Sequence, residues 1–283
     1  MENNGYILAL TCIFAAACWY RYENDYLQIS KYEYASRKIS LTFDGFTVVH
    51  ISDLHGKSIG KDHSGTIAAI KKLSPDIIVI TGDIMDRRRS NLPSAVKFAQ
   101  KAAKIAPVYF VAGNHEANSG KYSSFVLPAL EHAGVNVLRD EAVRVKRGDS
   151  FINIIGLECV GFLPGGYREK CDLNEITKLI CKLSEQNCLN VILAHRPELM
   201  EQYSASGADV VFCGHAHGGQ FIIPFVNRGV LAPDQGFWPK YFKGVYTNKN
   251  TSIFVSRGIG NSVFPFRINN RPEIIAVKFK SLL

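Results

Sequence analysis

No Cys-x-x-Cys pair occurs in the 283 residues, and the seven cysteines, Cys12, Cys18, Cys159, Cys171, Cys181, Cys188 and Cys213, are odd in number. A disulfide framework is thereby excluded, and a reducing compartment suits the set better than an oxidising one. No internal repeat or low-complexity segment is visible, so nothing points to a solenoid or a linker-rich chain. Charge is sparse, 20% against 47% hydrophobic residues, which excludes disorder and predicts a folded body with a full core. The charge present is unbalanced, formally +8. That favours anionic partners: membrane surfaces, phosphorylated substrates or nucleic acid.

Charge is also missing from one stretch. Between Glu2 and Arg21 there is no Asp, Glu, Lys or Arg. The apolar part, Tyr6 to Tyr20, is close to the lower limit of a membrane span of about 17–25 residues. Trp19 and Tyr20 suit an interfacial belt, and no Lys or Arg precedes the run as it would in a signal peptide. Ala15-Ala16-Ala17 keeps a cleaved segment as the competing reading. Residues 1–20 are therefore expected to be a single N-terminal anchor to the cell membrane. Arg21, Lys31, Arg37 and Lys38 lean towards a cytoplasmic body. Residues 21–45 read as a lead-in with a first strand, in which Leu27 and Ile29, then Ile39, Leu41 and Phe43, alternate with polar residues. Residues 46–283 read as one domain.

What is present in that domain is a series of apolar runs with polar ends. Val48 to Ser52 runs into Asp53-Leu54-His55, and Ile77 to Thr81 into Gly82-Asp83. Pro107 to Ala112 runs into Gly113-Asn114-His115-Glu116. Val191 to Ala194 runs into His195, and Val210 to Cys213 into Gly214-His215-Ala216-His217. Such runs read as buried strands, and side chains at their carboxyl ends lie where α/β sheets bind ligands. Helical spacing over 66–73, 92–105, 123–133 and 172–186 makes the first part a β-α-β-α-β succession. Pro197 suits the first turn of a short helix to Tyr203. Strands at 135–138, 141–146 and 151–157 suggest a change to antiparallel pairing. Residues 221–246 read as irregular, followed by strands at 252–257 and 274–279.

The polar ends carry the chemistry. Asp53, His55, Asp83, Asn114, His195, His215 and His217 form an oxygen-and-nitrogen donor set without thiolate, suited to Mn, Fe, Zn or Co. Seven donors are too many for one tetrahedral ion and right for two, and two divalent ions about 3.5–4 Å apart can clamp a phosphoryl group. His50, His63 and His132 read as structural polar residues.

The ordered set Asp53-x-His55, Gly82-Asp83-x-x-Asp86-Arg87, Gly113-Asn114-His115-Glu116, His195 and Gly214-His215-x-His217 resembles the calcineurin-like metallophosphoesterases over about residues 46–280. A narrower likeness is to the small membrane-associated bacterial phosphodiesterases of that family. It rests on Gly214-His215-Ala216-His217-Gly218-Gly219-Gln220, Pro239-Lys240-Tyr241, Gly244-Val245-Tyr246, Val255-Ser256-Arg257-Gly258, Arg267 and Pro272-Glu273. Ala216 stands where Thr is commoner, and Glu116 where Asp also occurs. The resemblance implies an α/β fold, a two-sheet β-sandwich flanked by helices. It implies two divalent metal ions (Mn, Zn or Fe), the first on Asp53, His55 and His217, the second on Asn114, His195 and His215, with Asp83 bridging. It implies phosphodiester hydrolysis by a metal-activated hydroxide, with His115 assisting the leaving oxygen. Asp86 and Arg87 would brace the loop that carries Asp83.

Membrane-associated or lipid-linked substrates are a further expectation, including the pyrophosphate of a nucleotide-glycolipid. Phe237, Trp238, Tyr241 and Phe242, with Lys240 and Lys243, would suit a membrane interface or a headgroup rim, and equally a satellite core. Arg87-Arg88-Arg89 would steer anions or form a solvated face. Arg257 and Arg267 would reach substrate phosphate or pair structurally with Glu273. Two rivals stand beside this reading. A non-catalytic scaffold should have lost donors or His115, and all are present. A nuclease would carry a basic track with stacking aromatics; nucleic acid ranks below a small phosphoester as partner.

Overall fold

The computed structural model describes residues 2–88, 91–120, 122–158, 173–261 and 264–283. Arg89, Cys159 and Cys171 fall outside them. Two six-stranded sheets face each other. The first takes β1 (Gln28–Ser36), β2 (Thr47–Ile51), β3 (Ile77–Thr81), β4 (Val108–Val111), β5 (Val135–Val137) and the last strand of the chain, β16 (Glu273–Ser281), in the order β1-β16-β2-β3-β4-β5. The second takes β6 (Glu141–Arg147), β7 (Ser150–Gly156), β8 (Asn190–Leu193), β9 (Val210–Cys213), β14 (Gly244–Asn248) and β15 (Thr251–Val255), in the order β14-β15-β9-β8-β7-β6. Four two-residue strands, β10 (Ile222–Ile223), β11 (Arg228–Gly229), β12 (Leu231–Ala232) and β13 (Gly236–Phe237), form two small hairpins between β9 and β14.

The period-2 alternation of strand side chains sorts the apolar residues into three layers. Val48, Val79, Val111, Ile154, Val191, Leu193, Val210, Phe212 and Phe254 meet between the sheets. Val49, Ile51, Ile78, Ile80, Val108 and Phe110 point the other way, onto helices α2 (Ser64–Lys72), α3 (Leu92–Ala103) and α5 (Leu127–His132). Ile155, Ile192, Val211, Cys213, Ile253 and Val255 form the third layer, with Ile180 of α6 (Leu173–Leu183) and Met200 and Tyr203 of α7 (Met200–Ala205). The expected two-sheet sandwich flanked by helices is therefore the observed fold. Both faces of the central strands are covered, which is why those runs are continuously apolar.

Several local expectations are corrected. Ile39, Leu41 and Phe43 do not form a strand: Leu41–Phe43 is a 3-10 turn. Its alternating apolar residues serve a corner, where Ile39 and Phe43 cap the layer between the sheets. β5 pairs parallel with β4, so antiparallel pairing is confined here to the β6–β7 hairpin, and β7 pairs parallel with β8. β14 lies partly within the stretch expected to be irregular. It is an edge strand whose residues alternate between half-buried and exposed, a weaker apolar signal than a central strand presents. A one-turn helix, α4 (Asn114–Ala117), follows β4, and helix 123–133 is a π-type turn at Tyr122–Val126 followed by α5.

Residues Glu2–Asp25 form a helix, α1. Its side chains Tyr6, Ile7, Leu8, Leu10, Ile13 and Phe14 are exposed, and among the described residues no helix is long and apolar enough to cross a membrane. The end of α1 is built into the body. Glu23 and Asn24 are buried. The Asn270 N–H donates to Glu23 Oε2 (3.0 Å), the Arg267 N–H donates to Asn24 Oδ1 (2.9 Å), and Lys57 Nζ donates to the Asn24 carbonyl.

His63 is buried with its Nε2 at Ser94, and His50 is buried between the sheets with its Nε2 2.7 Å from Thr81 Oγ1. Burial pushes the His50 imidazole down to about 3. An unfolded His binds a proton from about pH 6.5 downward, and the folded one only near pH 3. Between those limits the unfolded state holds more protons, so stability is complete above pH 6.5 and falls as the pH drops towards 3. We expect His50→Gln to remove this slope, so that the variant's stability relative to wild type shifts in its favour by about 2 kcal/mol between about pH 7.5 and about pH 5. Urea unfolding at the two pH values, with metal held saturating, measures it.

Candidate metal centre

The parallel strands β2 and β3 continue side by side past their ends. The Asp53 N–H donates to the Gly82 carbonyl (3.0 Å) and the His55 N–H to the Asp83 carbonyl (2.9 Å). From the second sheet, His195 follows β8 and His215 and His217 follow β9. Two hydrogen bonds join the sheets at this seam: His195 Nδ1 lies 2.7 Å from the Thr81 carbonyl, and the His215 N–H donates to Asp53 Oδ2 (3.0 Å). Close approach needs glycine here. A Cβ on Gly113 would stand 2.2 Å from Asp83 Oδ1, and one on Gly214 1.8 Å from Ser52 Oγ.

The chain is strained where it presents these groups. Asp53, His55, Asp83, His215 and His217 all have positive φ, between 46° and 67°. Non-glycine residues hold that region at a cost of about 1–3 kcal/mol each, and such outliers gather at functional sites.

Two facing sets of donors result. In one, His55 Nε2 and His217 Nε2 are 3.2 Å apart, with Asp53 Oδ1 3.4 Å from His217 Nε2 and Asp83 Oδ2 3.7 Å from His55 Nε2. In the other, His195 Nε2 lies 3.1 Å from Asn114 Oδ1, 3.1 Å from His215 Nδ1 and 3.5 Å from Asp83 Oδ2. Asp83 is common to both. All seven residues expected as ligands are thus brought together, and all but Asn114, which is half-buried, are buried.

The placement of protons on the imidazoles suits the two sets to cations. His195 donates its Nδ1–H to the Thr81 carbonyl, and His215 Nε2 sits 2.9 Å from Asp234 Oδ2, so the nitrogens turned inward carry lone pairs. Those lone pairs face each other and the oxygens of Asn114 and Asp83. Asp53 Oδ1 is buried without a hydrogen-bond partner. Burial holds His217 down at about 3 and lowers His55, which keeps both imidazoles neutral and able to ligate. Burial would raise the Asp83 carboxyl, but the imidazoles of His195, His55 and His115 outweigh it and hold it well below the usual carboxylate range. Two carboxylates, four buried imidazoles and one amide oxygen are a fitting bed for divalent ions.

His115 packs edge-on against His55, with ring centroids 4.5 Å apart, and its Nδ1 lies 3.3 Å from Asp86 Oδ1. Its own N–H donates to Asp83 Oδ1 (2.8 Å). Asp86 is buried, and Arg88, not Arg87, places a guanidinium on it, with Nε 3.1 Å from Asp86 Oδ1. Arg87 is exposed and offers its backbone N–H to His115 Nδ1 (3.3 Å). Arg267 is buried and donates to the Asn270 carbonyl and Asn261 Oδ1, and Arg257 faces Glu273. Both therefore take the structural role.

Three supporting residues carried no sequence signal strong enough to assign their part. Glu116 Oε2 accepts from the N–H groups of Asp83 and Gly113 (2.8 Å each), and Oε1 from Met85, so one carboxylate ties two loops. Asn270 donates from Nδ2 to the His217 carbonyl (2.7 Å) and the Gln220 carbonyl (3.0 Å). Asp234 lies in the stretch that read as irregular.

The family model "Calcineurin-like phosphoesterase" matches residues 46–219. The chain is 29% identical over 265 residues to a protein of Aquifex aeolicus named as an uncharacterized metallophosphoesterase, covering 91% of this chain and 94% of that one. It is 27% identical over 236 residues to phosphodiesterase YaeI of Escherichia coli, covering 81% and 80%. It is 25% identical over 249 residues to a transmembrane protein with metallophosphoesterase domain of Danio rerio, covering 86% of this chain and 55% of the other. With the strand-end motifs, the sandwich and the paired donor sets all in place, this chain belongs to the calcineurin-like phosphoesterases, metal-dependent hydrolases of phosphoesters.

Proposed function

We propose that this protein is a two-metal phosphodiesterase in which Asp53, His55 and His217 hold one divalent ion, Asn114, His195 and His215 hold the second, and Asp83 bridges them. The observation that carries the assignment is the sharing of one buried carboxylate between two inward-facing lone-pair sets. The donor chemistry favours Mn, Zn or Fe. When bound, such ions supply Lewis acidity towards phosphoryl oxygens and a water of lowered pKa. The chain's own contribution is placement. Thr81 and Asp234 set the tautomers of His195 and His215, Glu116 holds the Asp83 loop, and the Arg87 N–H donated to His115 Nδ1 leaves the ring's proton on Nε2, from where it can pass to the leaving oxygen.

The diester preference is supported by the likeness to the Escherichia coli phosphodiesterase. A membrane tether through α1 is supported by its exposed apolar side chains and by the Danio rerio relative's name. Anionic lipid headgroups or lipid-linked phosphodiesters are the substrates this tether would bring near. Phe237 and Trp238 are exposed and suit such a surface, whereas Tyr241 and Phe242 pack into the third core layer.

Metal-stripped protein should regain hydrolysis of an aryl phosphodiester on addition of Mn or Zn, and the matching monoester should be cleaved more slowly. His115→Ala should lower kcat by about 10²–10⁴-fold with both ions still bound, because it removes a proton donor and no ligand. Asp83→Asn should lower the affinity for both ions together. Metal analysis beside steady-state kinetics separates the cases, and a chain that binds no divalent ion would sink the proposal. Deleting residues 1–20, which spares the docked Glu23 and Asn24, should move the protein from the membrane pellet to the supernatant with unchanged kcat on the soluble substrate. A pellet fraction equal to wild type would remove the tether.

A further inference from the structure

Outside the seven proposed ligands, a charged cluster of Asp234, Arg196 and Glu198 touches the site. Asp234 Oδ2 lies 2.9 Å from His215 Nε2 and is contacted by Arg196 Nη1, which also reaches Glu198 Oε1 (3.1 Å). Glu198, His215 and Asp234 together have the make-up of a third cation site. The guanidinium of Arg196 already stands on both carboxylates, however, so the cation of this cluster is supplied by the chain itself.

We infer that Asp234 is a positioning residue for the second ion: it holds the His215 imidazole with Nδ1 turned towards His195, Asn114 and Asp83. The inference rests on the two-ion reading above. Three observations carry it. The Asp234 side chain is only 26% exposed although its turn lies at the surface, so the carboxylate is directed inward. It accepts from the His215 nitrogen opposite the one that faces the ion site, which settles both the tautomer and the ring orientation. Its own position is built. The turn Pro233-Asp234-Gln235 joins β12 to β13, and Gln235 pins it to Tyr241 through Nε2 to the Tyr241 carbonyl (2.6 Å) and the Tyr241 N–H to Oε1 (2.9 Å). Tyr241 in turn packs into the third core layer.

Arg196 adds a second tie, since it follows the ligand His195 directly in the chain. Its guanidinium lies against Asp234 and its carbonyl accepts from Tyr203 Oη (2.8 Å). His195 and His215, which approach from different strands, are thereby braced against one turn. Loss of a carboxylate that orients a ligating His lowers metal affinity by about 10–100-fold in general.

The test is a zinc titration of the metal-stripped full chain against a chromophoric chelator, with wild type, Asp234→Ala and Asp234→Asn. The Asn carbonyl can still accept from His215 Nε2–H, so this variant separates orientation from charge. We expect one of the two binding steps to be unchanged in both variants. The other, that of the ion on His215, should weaken about 10–100-fold in Asp234→Ala and by less in Asp234→Asn. Equal affinity for both ions in Asp234→Ala would overturn the inference and leave the two-ion reading standing. Equal weakening of both steps in the two variants would also overturn it, as general loosening of the fold. Absence of zinc binding by wild type would overturn the two-ion reading itself, and this inference with it.

Discussion

The carboxylate of Asp83 is the point on which the rest of the structure depends. It is buried at the seam of two sheets and cannot be left alone there, because an isolated buried charge is prohibitively costly. Its Oδ1 accepts the N–H of His115, and its Oδ2 faces imidazoles from the first sheet and from the second. The backbone N–H of the same residue is held by Glu116. The imidazoles facing it are neutral, so divalent ions held by these groups would supply the positive charge that balances the carboxylate, and the strand-end architecture brings the imidazoles within reach.

The surroundings keep that arrangement in place despite its strain. Five of the proposed ligands sit at positive φ, a cost that only a rigid frame can hold. Glu116 ties the Asp83 and Gly113 loops, Asn91 donates from Nδ2 to the His55 carbonyl (2.7 Å), and Asn270 holds the loop of His217. The hydrogen bond from Asn270 N–H to Glu23 links that last loop to the end of α1. The N-terminal helix therefore ends as part of the frame around His217.

The segment between β9 and β14 shows how one surface stretch serves several layers. Tyr241 and Phe242 fill the core beneath it, Asp234 reaches inward to His215, and Phe237 and Trp238 stay outside, the latter under the guanidinium of Arg228 at 5.2 Å. An aromatic and basic composition alone does not distinguish these roles, because burial depends on which way a turn points.

By itself, the sequence determined where the buried strands run and which polar residues stand at their ends, and the resemblance carried by those residues pointed to the fold class. Continuous apolar runs such as Ile77–Thr81, short and closed by turn residues, read as strands covered on both faces, and five such runs ending in Asp, His and Asn mark one edge of the sheets. Local periodicity and strand-end chemistry are short-range properties, legible one segment at a time. What only the tertiary structure decided is long-range. The parallel pairing of β5, the corner at Leu41–Phe43, the choice of Arg88 over Arg87 against Asp86, and the contact of Asp234 with His215 each depend on partners brought close by folding. No spacing rule connects residues whose separation along the chain is set by a turn's direction, and hydrogen bonds of that kind exist only once two sheets have met.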